Sequence, residues 1–367
     1  MAGRRRLSVL SWTSAIPVLG VVVLVLTWGR NLATGVAVAV AVVLAAAVLA
    51  AVHHAEVVAH RAGEPLGSLV LAVAVTVIEV GLIVTLMAAG KAGSESLARD
   101  TVFAAAMITC NGILGVSLLI GAVRDGLAVF NPEGTGAALA TVATLAVLCL
   151  VLPTFTTSSP GPQYTSAQLT FAAIASVALY ALFVVTQTVR HRDFFLPVAP
   201  DGTVIDDADE HATPPTTRSA MVSLLLLFLA LVAVVGLAKV ESPSIETGID
   251  AVGLPQSFVG VVIALLVLLP ESLAAVRAAV RGRIQVSINL ALGSAVASIG
   301  LTIPAVAVAT IWLPGPLVLG LNATQITLLA ITVAAGTLTV VPGRATRLQA
   351  GLHLAILAAF LVLAARP

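Results

Sequence analysis

Between Ser257 and Val276 the chain reads SFVGVVIALLVLLPESLAAV, and Glu271 is the only side chain in it expected to carry a formal charge. A helix crossing a bilayer needs about 20 mainly apolar residues. Backbone amides cannot go unpaired in lipid, so such a run is a helix and not a strand. A carboxylate in its interior costs on the order of 2.5 to 3.5 kcal/mol to insert. Pro270, directly before it, removes one amide donor and clashes with the preceding turn. The stretch therefore predicts a spanning helix that opens beside a buried acid.

The whole chain reads the same way. Of 367 residues, 59% are hydrophobic and only 10% charged, and the mean hydropathy is +1.10. No soluble domain of this size hides that much apolar surface, so the expected class is an all-α polytopic membrane protein. The net charge of +1 and the lack of a basic run with interleaved aromatics point away from nucleic acid. Cys110 and Cys149 lie in apolar segments and read as small core residues, without a zinc or disulfide pattern. The start, MAGRRRLSVLSW, reads as the flank of a first helix that stays in place.

Eleven apolar spans can be marked, near 11–29, 33–52, 66–90, 101–123, 136–153, 166–189, 219–239, 256–279, 285–311, 317–341 and 347–365. With the N-terminus in the cytoplasm, thirteen of the 18 Lys and Arg residues fall on inner segments and five on outer ones. That is the bias of the positive-inside rule. The hydrophilic stretch from Arg190 to Arg218 carries Asp206, Asp207, Asp209, Glu210 and His211. It reads as a solvated acidic cytoplasmic loop; a weak calcium-sensing role is the sharper alternative, although the glycine and closing glutamate of an EF-hand are missing.

A second buried acid, Glu79, sits in LVLAVAVTVIEVGLIVTLM on the third span. Glu271 is on the eighth. An offset of five makes the two helices run in opposite senses, the topology of an inverted repeat whose midplane interface binds ions in secondary transporters. The expected organisation is an extra N-terminal helix (1–32), a first five-helix repeat (33–189), the acidic loop (190–218) and a second five-helix repeat (219–367). Two intramembrane carboxylates are functional by default, with a structural hydrogen-bonded acid as the bland alternative.

Candidate supporting ligands cluster around the acids. Thr76 precedes Glu79 by three residues. Pro270 would free the carbonyl of Leu266, and Ser272 follows Glu271. The next spans carry Asn111, in AMITCNGILGVSLLIG, and Asn289, Ser294 and Ser298, in VSINLALGSAVASIGLTIP. Close packing accounts for most Gly and Ser on membrane helices, but an unpaired amide in lipid is expensive. The set consists of oxygen donors, which suits hard cations such as calcium, sodium or potassium over softer metals.

These same residues carry a resemblance. GEPLGSLVLAVAVTVIEV (Gly63 to Val80), LLPES and QVSINLALGSAVASIGLTIP (Gln285 to Pro304) resemble the signature helices of the calcium/cation antiporter superfamily, most of all its bacterial calcium/proton antiporter branch. The resemblance implies that Glu79 and Glu271 bind the transported cation. Ile78 stands where that family's pattern has proline. The fourth span lacks the Gly-Ser-Asn run usual in sodium/calcium exchangers, which weakens a sodium-coupled calcium reading.

The expected chemistry is competition: a cation neutralises two carboxylates in a dry site, and without it protons do so. Calcium/proton exchange across the cytoplasmic membrane by alternating access is the primary reading, with sodium/proton or potassium/proton antiport as the alternative and a cation channel behind it. No hydrolase layout or phosphate loop is visible, so an enzyme is not expected. Transported Ca2+ and H+, not a resident cofactor, are the expected ions, and the lipid bilayer is the expected surrounding. Glu64, in GEP, reads either as a helix-start acid or as an entry or relay group. HHAEVVAHR places His53, His54, Glu56 and His60 at an interfacial helix end, with a metal or proton-sensing site as the minority reading.

Overall fold

The computed structural model describes residues 12–63, 66–88, 90, 93–199, 203, 215–313 and 315–367. Glu64, the triple arginine at 4–6 and the acidic run at 206–211 lie outside the described residues. The chain is an almost wholly helical polytopic membrane protein. Its apolar helices are α1 (Trp12–Thr27), α2 (Thr34–Ala62), α3 (Leu66–Met87), α4 (Ser94–Asp125), α5 (Pro132–Phe155), α6 (Ser166–Arg190) and α7 (Thr217–Ala251). Then follow α8, broken into Phe258–Val267 and Leu269–Val280, and α9 (Ile284–Ala309), α10 (Ala323–Val340) and α11 (Arg347–Ala365). Among the described residues, nine of these are long and apolar enough to cross a membrane alone, and the two halves of α8 make a tenth span. The shorter α1 completes the set that the apolar runs predict.

Local sequence explains where several helices begin. Thr165 and Gln168 at α6, Asn322 and Gln325 at α10, and Thr346 and Gln349 at α11 form capping boxes. Each satisfies orphan amides at an end where lipid gives way to water, and such a cap contributes about 1 kcal/mol. Asn131 caps α5 in front of Pro132. The only strands among the described residues are β1 (Ala128–Val129) and β2 (Arg344–Ala345), an antiparallel pair that ties the α4–α5 connection to the α10–α11 connection.

Helices α1, α2 and α7 pack along one another. Small residues permit the close approach: a Cβ at Gly20 of α1 would lie 2.9 Å from the Cβ of Ala233 on α7. The remaining helices surround α4, whose residues from Leu97 to Leu114 are almost all buried, and which therefore runs through the middle of the bundle. Among the described residues four helices carry a wide π turn: Ile108–Ile113 in α4, Val147–Val151 in α5 and Ser298–Thr302 in α9 lie within their helices, and Thr186–Arg190 ends α6. Such turns are frequent at functional sites. Two of them carry site candidates.

Candidate cation site

Pro270 does break its helix. The two halves of α8 meet at Leu268 with a 55° bend, and Pro270 occupies the first turn of the second half, where a missing amide costs nothing. Glu271 follows in that same first turn. The Leu268 amide donates to the Ala264 carbonyl at 2.9 Å and ends the first half. Pro270, four residues after Leu266, has no amide to give the Leu266 carbonyl.

Glu79 sits on an unbroken helix. Its carboxylate is 2% exposed and is gripped from α9: Ser298 Oγ donates to Oε1 at 2.7 Å and Thr302 Oγ1 donates to Oε2 at 2.7 Å. Both donors come from the π turn of α9, which carries the two hydroxyls to the same carboxylate. Glu271 is different. Its Oε2 is buried and has no hydrogen-bond partner.

The two acids line one cavity of about 180 Å³. Thr76 of α3, Gln187 of α6, and Asn289, Ser294 and Ser298 of α9 also line it, and α4 contributes Ala105. From the glutamates the lining runs toward Leu71, Gln187 and Asn289, which are partly exposed at the end where α3 begins and α6 finishes. Toward the opposite end, Ile83 and Leu86 of α3, Phe103 of α4, Val259 and Ile263 of α8, and Ile303 and Val306 of α9 are all buried. The more exposed part of the lining thus lies at one end, and buried apolar side chains lie beyond the two acids at the other. The two glutamates are not on separate faces of the bundle.

The family model described as "Sodium/calcium exchanger protein" matches residues 32–189 and 222–366. The chain belongs to this exchanger family. It is thereby a member of the calcium/cation antiporter superfamily that its signature helices resemble, a cation exchanger and not an enzyme. Among relatives, the exchanger is 45% identical to the "Putative ionic transporter y4hA" of Sinorhizobium fredii, over 97% of its own length and 96% of the relative's. It is 34% identical to the sodium-potassium/proton antiporter ChaA of Escherichia coli, over 94% of each chain. In fold, it matches native YfkE with a TM-score of 0.70 at 15% identity, covering 96% of this chain and 98% of that one. The H+/Ca2+ exchanger CAX matches with a TM-score of 0.65 at 14% identity, covering 96% and 91%. At these identities the structural likeness is one of fold.

Not every residue singled out in the exchanger's sequence reaches the cavity. Glu79, Glu271, Thr76, Asn289, Ser294 and Ser298 do; Ser272 is not part of the lining. Asn289 lines the wall with its amide already used, since Nδ2 donates to the Phe195 carbonyl at 2.7 Å and Oδ1 accepts from Gln285 at 2.8 Å. It anchors the short helix Arg192–Phe195 that follows α6. Asn111 lies elsewhere. Its Nδ2 donates to Thr332 Oγ1 at 2.9 Å and its Oδ1 is 3.1 Å from His353 Nδ1, so it joins α4 to α10 and α11 in a fully buried polar network. An amide in lipid does need partners; here they are side chains and leave no oxygen for an ion. Sequence reasoning missed Thr302 and Gln187. Thr302 lies four residues after Ser298, a spacing that shares a helical face, and this is the signal that could have found it. Gln187 offers none.

Among the described residues no group of three His, Cys, Asp or Glu side chains is placed to hold a metal. The HHAEVVAHR stretch therefore does not form a dense metal centre.

Proposed function

We propose that this exchanger is a proton-coupled cation antiporter in which Glu79 and Glu271 bind the cation or protons in turn, with calcium as the cation that the charge of the pair suits best. The observation that carries the reading is the shared cavity with an unpartnered Glu271 oxygen at its floor. A buried acceptor of this kind has two stable fates, a proton or a cation. Two ionised carboxylates match a divalent ion in charge, and two protons replace it without changing the net charge of the dry site.

A cavity whose more exposed lining lies at one end supports alternating access. The 33–189 and 219–367 halves are read as inverted repeats, with the site at their interface. We read the arginine bias as favouring a cytoplasmic N-terminus, with the more exposed end of the cavity on the cytoplasmic side of the cytoplasmic membrane, and hence an inward-facing state. The carrier changes its facing when the acids are neutralised by either ligand, and exchange follows.

A second reading has its own support. The ChaA relative, at 34% identity, is named a sodium-potassium/proton antiporter. Hydroxyls and carboxylates also accept alkali cations. One experiment separates the two: everted vesicles containing the protein, with collapse of a preformed pH gradient followed on adding calcium, sodium or potassium singly. Collapse by calcium at the lowest concentration supports the first reading, and collapse by sodium or potassium alone supports the second. No collapse by any of them, with the protein present in the membrane, overturns proton coupling. Because protons compete for the same oxygens, lowering the pH raises the half-saturating cation concentration, by up to about tenfold per pH unit for each proton displaced.

The hydroxyl grip on Glu79 gives a further expected result. A hydrogen bond to a charged group contributes about 1.5 to 3 kcal/mol. The change Thr302→Val removes one such donor from the ionised carboxylate and should raise the half-saturating cation concentration on the order of tenfold, with little change in protein level. Titration of exchange against cation concentration checks it, and an unchanged midpoint would mean that Thr302 only packs.

A further inference from the structure

A second cavity, of about 630 Å³, lies at the end of the bundle opposite the more exposed lining of the cation cavity. The last third of α7, the start of α2 and residues 30–32 before it enclose the space. Arg30 and Glu241 are the only charged side chains among the described residues that line it, and Asn31, Thr34, Ser244 and Thr247 add an amide and hydroxyls.

Glu241 decides what the cavity can hold. The residue is 2% exposed, and its Oε1 is buried with no partner. Oε2, equally without a hydrogen bond among the described residues, keeps some accessible surface, and through it the carboxyl group meets the cavity. An acid so far desolvated and bound to nothing is costly to keep. What the site lacks is a donor from outside the chain. A hard metal ion is a poor match, because one carboxylate with an arginine in the same wall is a weak cage and the space holds far more than an ion. Arg30 makes the second demand: it is exposed and forms no ion pair among the described residues. An acid inside and a guanidinium at the rim suit a zwitterion whose cation leads and whose anion follows.

We propose that this cavity receives the headgroup of phosphatidylethanolamine, with the primary ammonium donating to Glu241 and to the hydroxyl oxygens beside it and the phosphodiester held by Arg30. In this lipid the ammonium is the far end of the headgroup and the phosphate stands next to the glycerol, so a molecule entering from the bilayer presents its charges in the required order. Val38 lines the cavity, and it and Val42, one turn along the same face of α2, are each more than half exposed. Acyl chains have that surface to lie on while the headgroup enters between α2 and α7. The site is separate from the cation cavity and does not depend on which ion is exchanged.

The test is lipid retention by the purified full-length protein, read by native mass spectrometry after exposure to equal amounts of phosphatidylethanolamine and phosphatidylcholine. Both carry a phosphodiester and a positive charge, but the quaternary nitrogen of phosphatidylcholine has no N–H to donate. Phosphatidylethanolamine should be retained over phosphatidylcholine, and Glu241→Gln should erase that preference, a change of about tenfold, the order of one hydrogen bond to a charged group. The ratio is read within one preparation, so protein yield does not enter it. Arg30→Gln should lower retention of both lipids together and keep their ratio. Asp250→Asn, which alters an exposed acid of α7 outside the cavity, should change neither. Equal retention of the two lipids by the parent, an unaltered preference in Glu241→Gln, a preference lost in Arg30→Gln, or an equal loss in Asp250→Asn would each overturn the site. Millimolar phosphoethanolamine should not displace the lipid; displacement would overturn the lipid assignment in favour of a soluble amine.

Discussion

Glu271→Gln is expected to abolish cation-driven collapse of a pH gradient in everted vesicles, by at least about a hundredfold. Removing one charged partner from a desolvated site costs about 3 kcal/mol or more, which corresponds to a factor on the order of 100 in affinity. The amide also cannot carry the proton that the return step needs, so both limbs of the exchange fail together. Folding should not suffer, because Glu271 Oε2 has no partner to lose and a neutral amide is cheaper in lipid than a carboxylate. The variant should therefore reach the membrane at the normal level, with a melting temperature equal to or above that of the parent. Glu79→Gln should lose exchange to the same degree. Surviving calcium-, sodium- or potassium-dependent proton flux in either variant would remove the two acids from the centre of the mechanism.

The second large effect is expected from Pro270→Ala. Alanine restores an amide at the break in α8 and removes the ring that clashes with the turn before it, interactions worth about 3 kcal/mol in a helix interior. The 55° bend then has nothing to maintain it except packing. A straighter α8 carries Glu271 away from the cavity that it shares with Glu79, while the protein gains backbone hydrogen bonding. Exchange should fall by about tenfold or more, and thermal stability should hold or rise. Parallel measurement of vesicle exchange and of the melting temperature checks both signs. Unimpaired exchange would show that packing alone sets the bend.

Much of this was legible before any coordinates. Apolar runs, separated by arginines and by residues that end helices, give the spans, because lipid leaves the backbone so few options. The glutamates were legible for the same reason: a charge in oil must be explained. What escaped notice was partner choice. Asn111 and Asn289 carry the same side chain on equivalent-looking helices, yet His353 and Thr332 occupy the first and the Phe195 carbonyl holds the second. Those partners lie 242, 221 and 94 residues away in the chain, and no local pattern announces them. Thr302 was hidden differently. Most membrane threonines bond back to their own helix, as Thr109 and Thr332 do here, and only the π turn of α9 aims this one at Glu79. The effect of Pro270 was legible in the bend that it sets.

If Glu79 and Glu271 bind the cation as proposed, their unequal surroundings impose an order of events on its capture. A cation entering from the open side meets one oxygen ready to bind and a second carboxylate whose oxygens are each shared with a hydroxyl. On the proposed mechanism, first contact falls at Glu271, and full coordination waits until the Ser298 and Thr302 hydroxyls release Glu79. Arrival and commitment become separate steps, with α9 controlling the second, so a slow phase that scales with the hydroxyls and not with ion concentration is the kinetic signature of this asymmetry.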